Sequence, residues 1–199
     1  MLLVEVFINV IHSPPGLNYT FTFSQLGRKM RYSMDSVITV LMLARVYIFF
    51  SLFSRFTKWR NTLAEHCCEA AGTQANTLFA MKCLLKESPY TLLIFNAVFS
   101  SLVFGFAVRT LERPYYEDEV GGAITPDDAG YQDYNFVSNG WWLIVVTMTT
   151  VGFGDFFPKT HLGRGVVVLA CFYGVFLVSM MVVTLSESSE FTQSEKKVN

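Results

Sequence analysis

The strongest constraint on this 199-residue chain is where its charges are not: residues 91–108, 134–154 and 165–186 contain no Asp, Glu, Lys or Arg. A helix needs roughly 20 predominantly apolar residues to cross a ~30 Å hydrocarbon core, and all three runs reach or approach that length. A fourth run, 36–53, is interrupted only by Arg45, and residues 1–11 are apolar apart from Glu5 but too short to span alone. With 52% hydrophobic and 16% charged residues, the chain is greasier than a soluble domain of its size. The expected class is a multi-pass integral membrane protein in contact with lipid.

Several other classes drop out. A cleavable signal peptide needs a basic start and a small-residue cleavage site, whereas Glu5, Phe7, Ile8 and Asn9 supply neither; the opening residues are expected to be the end of a helix. The net charge is -1, and Lys and Arg are scattered over loops, so no nucleic-acid partner is expected. Cys67, Cys68, Cys83 and Cys171 match neither a disulfide framework nor metal-ligand spacing. His12, His66 and His161 lie in separate loops with no matching nucleophile or carboxylate, which argues against an enzyme.

Along the chain, His12-Ser13-Pro14-Pro15-Gly16 ends the first apolar piece, and the stretch through Tyr19-Thr20-Phe21-Thr22-Phe23 is expected to be a loop carrying a formal glycosylation sequon at Asn18. After Phe53, a polar stretch leads to Leu78, Met81 and Leu85 at helical spacing with Lys82 and Lys86 on another face. That pattern predicts an amphipathic helix along the membrane. Ser88-Pro89 breaks it and fits a new helix start, because proline at the first helical position forgoes a hydrogen bond that would be unmade anyway. Arg55, Lys58, Arg60, Lys82 and Lys86 in one loop and Lys196 and Lys197 near the end define a shared, cytoplasmic side, in the plasma membrane. The loop 112–133 is then extracellular, and its acidic residues concentrate cations.

That orientation creates a parity problem. Two full crossings after residue 133 would carry Lys196 and Lys197 outside. A re-entrant segment resolves it: residues 136–148 dip in as a short helix, and 149–155 climb back as irregular backbone. Such backbone persists at membrane depth only where it is buried in protein or lines water. The predicted domains are 1–56, partial transmembrane segments; 57–88, a cytoplasmic linker; 89–186, a pore domain; and 187–199, the start of a cytoplasmic region. Within the pore domain, the outer helix takes 89–111, the turret 112–133, the pore helix and filter 134–155 and the inner helix 163–186.

Thr149-Thr150-Val151-Gly152-Phe153-Gly154-Asp155 fits the potassium filter pattern, in which backbone carbonyls from four chains replace the hydration shell of the ion. The ion-binding candidates are Thr150, Val151, Gly152, Phe153 and Gly154. Gly152 and Gly154 permit backbone angles closed to other residues, so that successive carbonyls face one axis. Thr150 adds a hydroxyl at the inner end. Trp141 and Trp142 are the candidate cuff behind Val151 and Phe153, and Asp155 the anchor of the outer mouth. Phe153 replaces the commoner tyrosine and so lacks a hydroxyl. Taken alone, Gly-Phe-Gly is also compatible with a turn between apolar helices; the paired tryptophans before it, the spanning helix after it and the acidic loop above favour the filter. Gly174 in the last helix serves either as a gating hinge or as a close-packing position. Arg45 alone cannot form the arginine ladder of a voltage sensor, so weak or absent voltage gating is expected. The fold class is therefore an all-α membrane protein, one quarter of a tetrameric potassium-channel pore.

Four local patterns carry a wider likeness: His12-Ser13-Pro14-Pro15-Gly16 with Tyr19 to Phe23; Met81-Lys82 through Pro89; Val108-Arg109-Thr110-Leu111-Glu112-Arg113; and Gly163-Arg164-Gly165-Val166 through Glu190-Phe191-Thr192, then Glu195-Lys196 and Val198. With them the chain resembles the small-conductance calcium-activated potassium channel family over nearly all its length. The resemblance implies a six-helix channel of which this chain covers the third segment onward. It also implies that the inner helix continues into a region holding calmodulin, and that calcium bound to calmodulin acts on the linker before the outer helix. By position, residues 75–87 with Lys82 and Lys86 would be the responsive lever, and 190–199 with Glu195, Lys196 and Lys197 the first turns of the calmodulin-binding region. Val151 and Phe153 depart from the isoleucine and tyrosine usual in that family. The partners implied are three identical chains or longer channel chains, with calmodulin; the alternative is a non-conducting regulatory subunit that co-assembles with full-length channels.

Overall fold

The computed structural model describes residues 19–25, 28–46, 77–117 and 131–189, together with the isolated positions His12, His66, Cys68, Ala70 and Gly72. Among these residues the structure is helical except for the irregular segments 131–136 and 149–160 and one antiparallel hairpin, β1 (Thr20–Gln25) and β2 (Arg28–Ser33), in register from Thr20 opposite Ser33 to Gln25 opposite Arg28. The hairpin corrects the expectation of a loop at Tyr19–Phe23. Alternating threonine and phenylalanine is a strand signal, favouring a pleated half-buried surface. Tyr32 stacks on Phe21 with ring centroids 5.9 Å apart and is buried.

Ser33 ends β2 and starts α1 (Met34–Met42), its side chain accepting from the Asp35 amide at 3.2 Å. This is a serine N-cap with an acidic residue in the first turn. α1 passes into a tighter turn, Leu43–Arg45, where the described part of the fourth apolar run all but ends. Residues 1–11, Asn18, residues 47–65, the acidic turret from 118 to 130 and residues 190–199 lie outside the described residues.

The amphipathic helix α2 (Thr77–Glu87) exposes Lys82 and Lys86. α3 (Pro89–Glu117) begins at Ser88-Pro89 and runs through Leu111 and Pro114, so the outer helix extends farther than residue 111. α4 (Val137–Met148) is short and apolar, and α5 (His161–Ser189) is long. α3 and α5 are long and apolar enough to cross a membrane, whereas α4 is not. Two helices of spanning length with one short apolar helix between them are consistent with the re-entrant arrangement expected from charge parity.

The three helices pack together around Leu93, Val108, Leu143, Ile144, Met148, Ala170 and Leu177, with Tyr32, Tyr115 and Tyr134 closing one end of the same core. Two glycine contacts set their spacing. A Cβ at Gly140 would lie 2.6 Å from the Gly105 carbonyl oxygen, so α4 crosses α3 backbone to backbone. A Cβ at Gly174 would lie 2.7 Å from Met148 Cα, so α5 passes under the end of α4. Small residues permit such approaches where helices must pack without a hydrophobic driving force. Overpacking costs about 1–3 kcal/mol. Gly140→Val is therefore expected to lower the thermal midpoint of the detergent-solubilised protein and cut its delivery to the cell surface; an unchanged midpoint would refute the close crossing.

Candidate functional site

The site is built at the C-terminal end of α4. A helix leaves its last carbonyls without partners, and here the chain that follows folds back onto them. The Thr149 amide donates to Val145 O at 3.0 Å, Thr150 to Thr147 O at 3.0 Å, Val151 to Val146 O at 3.1 Å and Gly152 to Val146 O at 3.3 Å. The Thr149 hydroxyl adds a bond of 2.8 Å to Val145 O. The first amide donors of the segment are thus satisfied by α4 itself.

From there φ alternates in sign. Thr150, Gly152 and Gly154 have φ of 60°, 61° and 80°, and Val151 and Phe153 between them do not share that sign. Alternation of this kind turns successive peptide carbonyls to the same side of the strand. The sequence pointed to the two glycines; Thr150 joins them, although a left-handed conformation costs a residue with a Cβ roughly 1–2 kcal/mol. A Cβ on Gly152 or Gly154 would meet nothing within 4 Å, so glycine is required there by backbone angle rather than by space. Among the described residues, no hydrogen bond ends on the carbonyl oxygens of Thr150 to Gly154. With its first donors consumed and its acceptors left over, the strip has a chemistry that suits a cation.

Trp142 supports this strip from behind. Its indole stacks on Phe153 with centroids 5.8 Å apart and planes 10° from parallel, and its Nε1 donates to Asp155 Oδ2 at 2.7 Å. Trp142, Phe153 and Asp155 therefore form one group. Trp141 turns away from the strip to α3, where its Nε1 donates to Ser101 Oγ at 2.8 Å. Gly174 sits against Met148 at the foot of α4 in an unbroken helix, which gives it a packing reason. Lys82 and Lys86 lie on α2, apart from this group, and Glu195, Lys196 and Lys197 lie outside the described residues.

Three further residues hold the outer rim. Glu112, fully buried near the end of α3, accepts from the amides of Lys159 and Thr160 at 3.0 Å each and from the Thr160 hydroxyl at 2.8 Å. The same hydroxyl caps α5, accepting from the Gly163 amide at 2.9 Å. A Cβ on Gly163 would collide with Glu112 Oε1. Arg109, one turn earlier, donates from Nε and Nη2 to Asn135 O at 3.1 and 2.8 Å, fixing the entry to α4. Gln132 is the third and is taken up below. Tyr32 of the hairpin is buried against the Glu112 and Thr160 seam; burial above all, and the charge on Glu112, push its phenol above the ordinary value, so it stays neutral.

A family model described as an ion channel matches residues 91–193, just over half of the chain, covering α3, α4, the strip and α5. The chain belongs to the ion channel family. It is also 25% identical over 203 residues to the small conductance calcium-activated potassium channel protein of Drosophila melanogaster, an alignment that takes in 98% of this chain and 20% of that protein. The chain thus spans about one fifth of the length of this curated relative. Of the stretches that carried the resemblance, Val108 to Arg113 holds the rim residues Arg109 and Glu112, whose partners lie 26 and 48 positions away in sequence.

Because the indole of Trp142 and the carboxylate of Asp155 share one hydrogen bond, Trp142→Phe and Asp155→Asn are expected to be non-additive. A double-mutant cycle on the thermal stability of the solubilised channel should return a coupling of about 0.5–1.5 kcal/mol; additive effects would show that the bond contributes nothing. Glu112→Gln places an amide donor against the amides of Lys159 and Thr160, and is expected to cost about 1–3 kcal/mol on the same measurement.

Proposed function

We propose that this channel chain is a pore-forming subunit selective for potassium, working as one quarter of a ring in which four copies of residues 150–154 surround a common axis. The observation that carries the reading is the strip itself: alternating φ at Thr150, Gly152 and Gly154, amides bonded back to α4, and carbonyls left for an ion. Carbonyl oxygens from one chain cannot replace a hydration shell, and rings of them from several chains can. Assembly is further supported by side chains that a lone chain leaves uncovered in apolar surroundings: Val151 and Phe153 are 55% and 66% exposed, and Phe172 on α5 is 74% exposed. Neighbouring chains around the axis would cover such faces.

In this reading an ion sheds water at the outer mouth beside Asp155, steps between carbonyl rings and leaves through the inner end at Thr150, whose hydroxyl adds oxygen ligands. Ions in adjacent rings repel one another and keep the flux moving. Trp142 holds the strip at fixed width through Phe153 and Asp155. Opening is assigned to calcium acting through calmodulin on α2, with the exposed Lys82 and Lys86 as contacts. The support is the calcium-activated relative and the resemblance in sequence. Voltage is given a minor role, since Arg45 is the single arginine in the described part of the fourth apolar run.

The test is inside-out patch recording from cells expressing this chain, with potassium, sodium and internal calcium varied and surface labelling in parallel. The reversal potential is expected to follow the potassium gradient. Gly152→Ala, which must place a Cβ at φ of 61°, is expected to abolish current while the protein still reaches the surface. Surface-delivered wild-type protein without current would overturn the pore reading and favour a regulatory subunit that dampens longer channel chains.

A further inference from the structure

The loop that enters α4 and the strand that leaves the ion path are held together by one buried side chain. Gln132 is 5% exposed. Its Nε2 donates to Asp155 O at 3.3 Å, and its Oε1 accepts from the Phe157 amide at 3.4 Å. The same Oε1 is within 3.4 Å of the Tyr134 hydroxyl, which also reaches Phe157 O at 3.3 Å. Tyr134 is itself 1% exposed and packs edge-on against Phe156 at 5.8 Å. A single amide thus binds a main-chain acceptor and a main-chain donor two residues apart, and the phenol beside it binds the next acceptor.

We propose that Gln132 is a positioning residue for ion conduction: with Tyr134, it fixes the backbone at Asp155 and Phe157 and so sets the orientation of the outermost carbonyls of the filter. The inference rests on the pore reading above and extends it to a residue outside the motif. Two features give Gln132 this weight. Phe153 has no hydroxyl with which to tie the strand sideways, so within the chain the outer strand is held by the Trp142 bond to the Asp155 side chain and by Gln132 on the main chain. And Gln132 is itself buried, with its bonds to Asp155 O and Phe157 N partly buried, so releasing it removes the one side chain that holds these two main-chain groups together. A freed peptide at the mouth can then rotate out of register with the ion.

Such rotation has a signature that loss of folding does not share. An ion resident in the outer sites opposes it, so its rate depends on external potassium. The experiment compares wild type, Gln132→Leu and Tyr134→Phe in whole cells, measuring the decay of potassium current in low and in high external potassium, the sodium-to-potassium permeability ratio, and surface delivery. Gln132→Leu is expected to speed the decay in low potassium about fivefold, equivalent to about 1 kcal/mol in the barrier. Raising external potassium should restore the wild-type rate. Tyr134→Phe, which removes one hydroxyl and keeps the packing, should act in the same direction with a smaller factor, and provides the reading if the leucine variant fails to reach the surface. Unchanged decay and permeability in surface-delivered Tyr134→Phe and Gln132→Leu would overturn the proposal and leave the pore intact. Faster decay that external potassium does not relieve would also overturn it. Wild-type chains that carry no potassium current would instead overturn the pore reading, and this one with it.

Discussion

Hydrocarbon offers nothing to a peptide carbonyl, and that constraint governs the whole arrangement. A chain can leave a row of acceptors unpaired at membrane depth only if protein walls them off from lipid and something polar occupies the space they face. α4 holds residues 149–155 on one side, its terminal carbonyls bonding the amides of Thr149, Thr150, Val151 and Gly152, while the strip stays exposed in the single chain. The acceptors that remain create the second condition. In the proposed pore a cation would coordinate these oxygens in place of hydrogen-bond donors, and the left-handed φ of Thr150 is the local cost of pointing the acceptors one way.

The rest of the fold keeps that strip at a fixed place relative to the two spanning helices. Gly105 and Gly140 bring α4 against α3, and Gly174 brings α5 under Met148. At the outer rim, the Glu112 carboxylate joins the end of α3 to the start of α5, and Arg109 joins α3 to the entry of α4. Both are charge-assisted bonds to main chain; those of Glu112 are withdrawn from water, whereas those of Arg109 lie nearer the surface. The hairpin adds Tyr32 to the same seam, so a segment that precedes the pore in sequence touches the junction of its helices.

Much of this was legible in residue order. Charge-free runs mark the two helices of spanning length and the short apolar helix between them, and the glycine spacing in Thr150 to Gly154 marks where the backbone needs left-handed angles. What was not legible falls into two kinds. Prolines and a glycine before Tyr19 point to a loop, whereas the alternation of threonine and phenylalanine after it has the period of a strand, and the hairpin follows the alternation. Glu112, Arg109 and Gln132 carry no local signature: each acts on main-chain atoms of a segment distant in sequence, and main chain has no residue type to recognise.

The sequence by itself determined which segments are apolar and long enough to cross a membrane and where regular helix must give way, because charge and backbone angle are properties that each residue carries alone. Only the tertiary structure decided which tryptophan stands behind the strip, which glycine is a crossing point, and which buried carboxylate and amide hold the rim. Those depend on distances between segments, and hydrogen bonds fall off within a few tenths of an ångström. Trp141 and Trp142 are adjacent and chemically identical; a turn of about 100° per residue along α4 sends one to Ser101 and the other to Asp155.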